Sequence, residues 1–493
     1  MNDRSPWVLV LDVGSSSVKV WLYDTGGRGV EPGGGSQLLY NWHTADGAME
    51  VPANRLFDLV VHALDTAVAF ARQKDIHIGA IAITTFWHSI LGISATGEPL
   101  TPVYAWGDTR AAETARRLAR DIDESDMHRR TGCFLHPSYP VVKLVWLKEL
   151  DAAGFRGVSQ WISIGEYIEH RLFGSMRCSY SMASGTGLFD IHRLDWDPAM
   201  LELVGLSADS FPPLVDTDAT LAGLRAEFAG RWPELASTPW FPALGDGACA
   251  NVGSGAIGKD LQGVTVGTSA AVRTLWETDD ITVLENLWCY RLDGRRVVAG
   301  GALSNGGNAV AYLDNTLKLP AGDEWDAELV GVTPDSHGLT ILPFLVAERG
   351  PNWLRERSAA VVGLCHTTPP LHLLRAWLEA IAYQIAEISS ALQDSYGPPT
   401  QVLASGGALH ASPVWTQIIA DVIGCPVSMS IEREATAHGA ALVAQERLGL
   451  LASLDLARSR RAADVQPDPD RHAIYMEAID RQRRLAEALT SRP

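Results

Sequence analysis

Val8-Leu9-Val10-Leu11-Asp12-Val13-Gly14-Ser15-Ser16-Ser17-Val18-Lys19-Val20-Trp21-Leu22 is an apolar, β-branched run, a glycine with small hydroxyl residues, then a second apolar run enclosing a lysine. The pattern predicts strand, tight turn, strand. Glycine lets backbone N–H groups turn toward a ligand, and with the hydroxyls they form a concave donor surface suited to phosphate. A single hairpin of this kind also has a purely steric explanation. The pattern recurs, however, at Gly263-Val264-Thr265-Val266-Gly267-Thr268-Ser269-Ala270-Ala271-Val272-Arg273. One such hairpin per half predicts a duplicated domain gripping a polyphosphate in a cleft.

Working outward, 493 residues exceed what one core usually organises, which predicts two large domains. The restart of the pattern places the boundary near residue 255, giving 1–254 and 255–493. With 46% hydrophobic and 20% charged residues the composition is that of a soluble globular protein. A net charge of −18 argues against nucleic-acid or anionic-membrane surfaces. An anionic ligand must then be held by local donors or arrive with a cation. Trp7 to Leu11 is too short for a signal peptide and is broken by Asp12, and no stretch is long enough to span a bilayer. Six scattered cysteines without a CxxC pair read as buried residues in a reducing cytoplasm, and 14 histidines lack zinc-ligand spacing.

Alternating elements predict an α/β architecture. Strands are expected around 37–42, 78–85, 90–94, 240–244, 401–404 and 426–429. Helices are expected over 51–72, 111–120, 143–150, 164–173, 248–255, 371–392, 412–423, 435–448 and 468–488. Gly33-Gly34-Gly35 reads as a flexible turn and 458–467 as a mobile linker.

Six places carry candidate chemistry. Asp12 ends a strand two residues before the first glycine turn, where its carboxylate either anchors Mg²⁺ beside phosphates or satisfies the turn's own N–H groups. Lys19 and Arg273 either neutralise phosphate or lie on exposed strand faces. Asp246, between Gly245 and Gly247 at the start of a helix, is a helix cap or a base that a substrate hydroxyl can approach closely. Gly406-Gly407 follows a strand, so its backbone can lie flat against a nucleotide's sugar or base. Trp87-His88 either stacks on and hydrogen-bonds to a polyol or is ordinary partly buried packing.

Together these positions resemble the FGGY carbohydrate kinases of the actin/Hsp70/sugar-kinase superfamily, over nearly the whole chain. The first hairpin is similar to the family's first phosphate motif. The 138–149 stretch, Ser138-Tyr139-Pro140-Val141-Val142-Lys143-Leu144-Val145-Trp146-Leu147-Lys148-Glu149, resembles the first signature, with Leu150 in place of a polar residue. Ala359 to Leu364 followed by His372 to Glu379 resembles the second, with Trp377 unusual. The resemblance implies two RNase H-like domains flanking a nucleotide cleft, and Asp246 as the general base. It implies Gly14, Ser15, Ser16, Lys19, Gly267, Thr268, Gly306, Gly406 and Gly407 as the nucleotide site, the last two at adenosine. Asp12 falls to the magnesium shell. Trp87 and His88 fall at the sugar, with Trp87 standing where relatives often have Met. Trp106 and Asp108 match a segment near the cleft without an assigned role. Residues 132–137, 182–190, 304–308 and 342–344 with 348–351 look most like gluconate kinases, and xylulose kinases share parts of them.

The expectation is therefore an ATP- and Mg²⁺-dependent kinase acting on a hydroxyl of a small sugar or sugar acid, D-gluconate first and xylulose second. A non-catalytic sugar or nucleotide sensor is the reading from another class. Partners are the sugar and ATP, with no nucleic acid or membrane, and a second copy of the chain as a candidate for homodimerisation.

Overall fold

Trp7–Val13 (β1) and Ser17–Tyr23 (β2) form the first hairpin, antiparallel, with Asp12 opposite Lys19. In this computed structural model residues 6–30, 35–320, 324–345, 349–351, 353, 358–457 and 461–490 are described. Gly35–Leu39 (β3) pairs antiparallel with β2. Gly33, Gly34 and Glu348 lie outside the described residues. The third strand is shorter than its apolar run predicts, because Tyr40 and Trp42 turn away to bond the hairpin turn.

Ile78–Thr85 (β4) runs parallel to β1, and Trp240–Gly245 (β5) parallel to β4. The sheet order is β5-β4-β1-β2-β3. Val8 to Leu11 and Ala80 to Ile83 are almost wholly buried, as parallel strands covered on both faces require. Ala53–Lys74 (α1) lays Leu56, Val60, Ala63, Leu64 and Val68 inward against β2 and β3. Pro140–Leu150 (α2), Ile164–Phe173 (α3) and Asp246–Ser254 (α4) follow the expected pattern within a few residues.

The second half repeats the plan. Gly258–Val266 (β6) and Ala270–Glu277 (β7) are the second antiparallel hairpin. With Arg296–Leu303 (β8), Gln401–Ser405 (β9) and Val427–Met429 (β10) they give the run β8-β7-β6-β9-β10, in which β9 is parallel to β6 and β10 to β9. Both sheets thus share one RNase H-like order. The helices are Gly307–Thr316 (α5), Pro370–Tyr396 (α6), Gly407–Ala411 (α7), Pro413–Ile423 (α8), Ala435–Arg447 (α9) and Pro469–Thr490 (α10). The segment expected to be a mobile linker is anchored where it is described: Ala462 and Val465 donate backbone bonds to Met429 and Val427, pairing the edge of β10.

Two compact units result. Unit 1 holds residues 1–253, 277–298 and 434–458; unit 2 holds 254–276, 299–433 and 459–493. Helix α9 therefore belongs to unit 1, where it packs on β1 and β4. It also meets α4 backbone to backbone. A Cβ on Gly253 would fall 1.8 Å from the Ala435 carbonyl oxygen, and one on Gly439 1.8 Å from that of Cys249.

Candidate active site

In unit 1 the Gly14-Ser15-Ser16 turn has its carbonyls tied back. Tyr40 donates its hydroxyl to Gly14 O at 2.7 Å, Trp42 its indole N–H to Ser15 O at 2.5 Å, and the Tyr40 amide bonds Ser16 O at 3.3 Å. In a trans peptide the C=O of one residue and the N–H of the next point oppositely. Fixing these carbonyls therefore turns the amides of Ser15 and Ser16 to the other side, as a cradle for an anion.

Asp12 sits at the mouth of that turn, only 5% exposed, and its Oδ1 has no hydrogen-bond partner among the described residues. Burial pushes its carboxyl up to about 7. Lys19 opposes that shift, while Asp246 and Glu434 add to it. Lys19 is not simply aimed at phosphate: its Nζ pairs with Glu434 at 2.7 Å. Three carboxylates and one lysine thus share a field, a net excess of negative charge with an oxygen lacking a partner. The partnerless buried oxygen of Asp12 is the feature here whose chemistry suits a hard divalent cation.

Asp246 opens α4 directly after β5 and is half-buried, and its Oδ1 accepts the Gly247 N–H at 2.8 Å. The carboxylate is therefore both partly capped and reachable. Its helix is held by the close Gly253/Gly439 crossing.

His88 follows β4 with a left-handed backbone, φ 66°, unusual for a non-glycine residue and frequent at functional sites. Its Nδ1 lies 2.6 Å from Gly185 O, so Nδ1 carries a proton and donates it to that carbonyl. Tyr139 and Tyr290 flank the ring at 4.8 and 5.6 Å, and their hydroxyls bond each other at 2.7 Å. Trp87 does not line this surface as an open stacking platform: it is 5% exposed, with its indole N–H on Ser181 O at 2.8 Å. Asp108 is a structural knot, accepting from the Met49 amide and Arg110, which also pairs with Glu50. Lys143, fully buried, donates to Pro137 O and Ser138 O at 2.5 and 2.7 Å, and burial pushes it down to about 7.

Unit 2 carries the second turn with the same logic. Gly267 O accepts the Gly307 amide at 2.8 Å and Thr268 O the Asn308 amide at 3.1 Å. The amides of Thr268 and Ser269 are thereby turned the other way. Gly306 serves this contact, since a Cβ there would fall 2.7 Å from the Ser269 backbone; Gly407 by contrast faces open space. Gly406 has φ 102° and presses on Val266 O, a position only glycine tolerates. Beside them lies a 340 Å³ cavity whose lining includes Val310, Ala311, Asp314, Trp325, Ala408 and Trp415. Arg273 donates to Thr265 Oγ1 at 3.4 Å.

The structure thus gathers Asp12, Lys19 and Asp246 in unit 1, and Gly267, Thr268, Gly306, Gly406 and Gly407 in unit 2. Sequence reading missed Glu434, Ser181 and Tyr290. Glu434 and Tyr290 are remote in the chain from the residues they join, and nothing local marks them. One carboxylate cluster with metal-like geometry, Asp335, His337 and Glu379, is a closed ionic knot instead. Glu379 accepts from Arg375, Tyr475, Tyr383 and His337, while the Leu339 amide donates to His337 Nδ1. Among the described residues no helix is long and apolar enough to cross a membrane.

The fold and these turns define a phosphotransferase of the two-unit α/β sugar-kinase class. Residues 7–253 match the N-terminal domain, and 263–445 the C-terminal domain, of the FGGY family of carbohydrate kinases. The chain is 28% identical to a gluconokinase of Bacillus subtilis over 91% of its own length and 89% of the relative's. A gluconate kinase from Lactobacillus acidophilus superimposes with a TM-score of 0.91 at 26% identity, covering 99% of this chain and 98% of that one. A xylulose kinase from Lactobacillus acidophilus gives 0.90 at 26%, covering 99% of each. This chain belongs to the FGGY family of carbohydrate kinases and is a carbohydrate kinase.

Proposed function

We propose that the protein transfers the γ-phosphoryl group of ATP to a hydroxyl of a small sugar acid, D-gluconate being the first choice. The observation that carries the reading is Asp246: a reachable carboxylate at the head of a helix, in the same electrostatic field as the buried, partnerless oxygen of Asp12. Asp246 accepts the proton of the acceptor hydroxyl as that oxygen attacks phosphorus; the loose transition state demands mainly position and late proton acceptance. The outward amides of Ser15 and Ser16 in unit 1, and separately those of Thr268 and Ser269 in unit 2, are suited to phosphate oxygens, and the unit 2 cavity lined by Ala408, Trp325 and Asp314 suits adenine. Mg²⁺, held by Asp12, would neutralise phosphate charge. His88 would contribute to the sugar site, with Tyr139 and Tyr290 as walls. Asp246→Asn is expected to keep nucleotide binding and to lose turnover by about 10³-fold, within the usual span for a general base. Full activity of that variant in a coupled ADP assay refutes the assignment.

The resemblance to gluconokinases supports the acid. A second reading, a pentulose such as xylulose, is supported by the xylulose kinase likeness and by the engagement of two cations within the fold. Arg110 is already paired with Asp108 and Glu50, and Lys143 with two carbonyls. Turnover across a panel of gluconate, xylulose and related polyols decides between the two.

A further inference from the structure

Trp87 stands where a sugar contact is expected, yet it is almost wholly buried against Trp288 and Tyr290. Its indole N–H donates to Ser181 O at 2.8 Å. Its ring occupies the space above two glycines: a Cβ on Gly245 would fall 1.9 Å from Trp87 Cε2, and one on Gly185 2.8 Å from Cδ1. Ser181 is completely buried, and its hydroxyl oxygen accepts the Gly245 amide at 3.1 Å. One serine therefore holds Trp87 through its carbonyl and the residue just before Asp246 through its side chain. Four residues on, Gly185 O holds His88 Nδ1 at 2.6 Å.

We infer that Trp87, Ser181 and Gly245 form a positioning unit that sets Asp246 relative to His88, and that Trp87 does not itself touch substrate. The inference rests on the roles proposed above for Asp246 and His88. β4 ends in Thr85, paired with Gly245 of β5, so the two functional residues leave neighbouring strand ends on separate chain segments. Strand pairing fixes their backbones to within the play of a bend. The indole, wedged on Gly245 and hydrogen-bonded to the 181–185 segment that also holds His88, removes that play. Misplacement of a catalytic group by about 1 Å costs on the order of 100-fold in rate, so a rigid wedge here has kinetic consequence.

The test uses the full chain and its best sugar. Trp87→Phe keeps an aromatic ring of smaller size and loses the N–H; it is expected to lower kcat about 10-fold, with the sugar KM and nucleotide affinity little changed. Gly245→Ala forces a methyl into the indole and should lower kcat about 100-fold. Combining it with Trp87→Met, which vacates that space, should recover about 10-fold of the loss. That rescue is a readout general loosening of the fold would not produce. A raised sugar KM at unchanged kcat in Trp87→Phe would instead make Trp87 a direct substrate contact and overturn the inference. So would a double variant no better than Gly245→Ala alone. Should Gly245→Ala fail to fold, the kcat against KM split of Trp87→Phe and Trp87→Met decides. Failure of the underlying base assignment shows separately, as an active Asp246→Asn.

Discussion

Glu166 shows how much one buried oxygen can govern. It caps α3 by accepting the Ser163 amide, while its other oxygen, Oε1, has no hydrogen-bond partner among the described residues and lies near the Cys178 thiol. Burial pushes its carboxyl up to about 7. The folded protein therefore holds this proton more tightly than the unfolded chain does. The resulting stability is present in full below the unfolded pKa, near 4.5, and is lost as pH rises through about 7. Glu166→Gln keeps the cap and removes the titration. It is expected to flatten this segment of the stability profile, with a gain on the order of 3 kcal/mol at pH 8 relative to the parent. Denaturant unfolding at pH 5 and pH 8 checks it; an identical pH slope in the variant contradicts the buried acid. Lys143 is the basic counterpart. Lys143→Met preserves volume but strips the donor from Pro137 O and Ser138 O, and is expected to cost about 3 kcal/mol in chemical denaturation.

Among elements, the crossing of α4 and α9 matters most for the site. Both helices are rich in Gly and Ala, and each contributes one glycine to a contact with no room for a side chain. The crossing sets the angle at which α4 presents Asp246. Gly439→Ala would place a methyl against the Cys249 carbonyl and is expected to destabilise by about 2–3 kcal/mol while depressing turnover. Gly230→Ala is the matched control, because it lies in a helix with open space at its Cβ and should stabilise by about 0.5–1 kcal/mol. Thermal melts and turnover of the pair separate close packing from helix propensity. Equal effects at the two sites would remove the crossing from the account. The two phosphate-type turns illustrate the same scale: each is shaped by donors from another element, Tyr40 and Trp42 beyond β3 and the head of α5 respectively.

For the whole molecule, the discontinuity of unit 1 has consequences. Its sheet face over β1 and β4 is covered by α9, nearly two hundred residues beyond β5, and its aromatic wall is completed by Trp288 and Tyr290. A fragment ending at residue 253 would expose the apolar side chains of β1 and β4. Such a fragment is expected to lack a cooperative melt and to bind a hydrophobic dye, whereas the full chain unfolds sharply. A sharp, dye-silent transition for 1–253 would show that α9 is dispensable.

The hairpin pattern, the glycine positions and the strand periodicities were legible in the chain because each is a local demand. Period-2 burial, φ values open only to glycine and helix spacing are written within a few residues of where they act. The pairing of Lys19 with Glu434 and the withdrawal of Trp87 from the surface were not legible. Nor were the closing of Tyr290 over His88 and the anchoring of the 461–467 segment on β10. Each depends on which distant segments meet. Sequence by itself determined the duplicated α/β plan and the residue types able to handle phosphate. Only tertiary structure decided which of them face outward, because hydrogen-bond partners and excluded volume are properties of chain crossings.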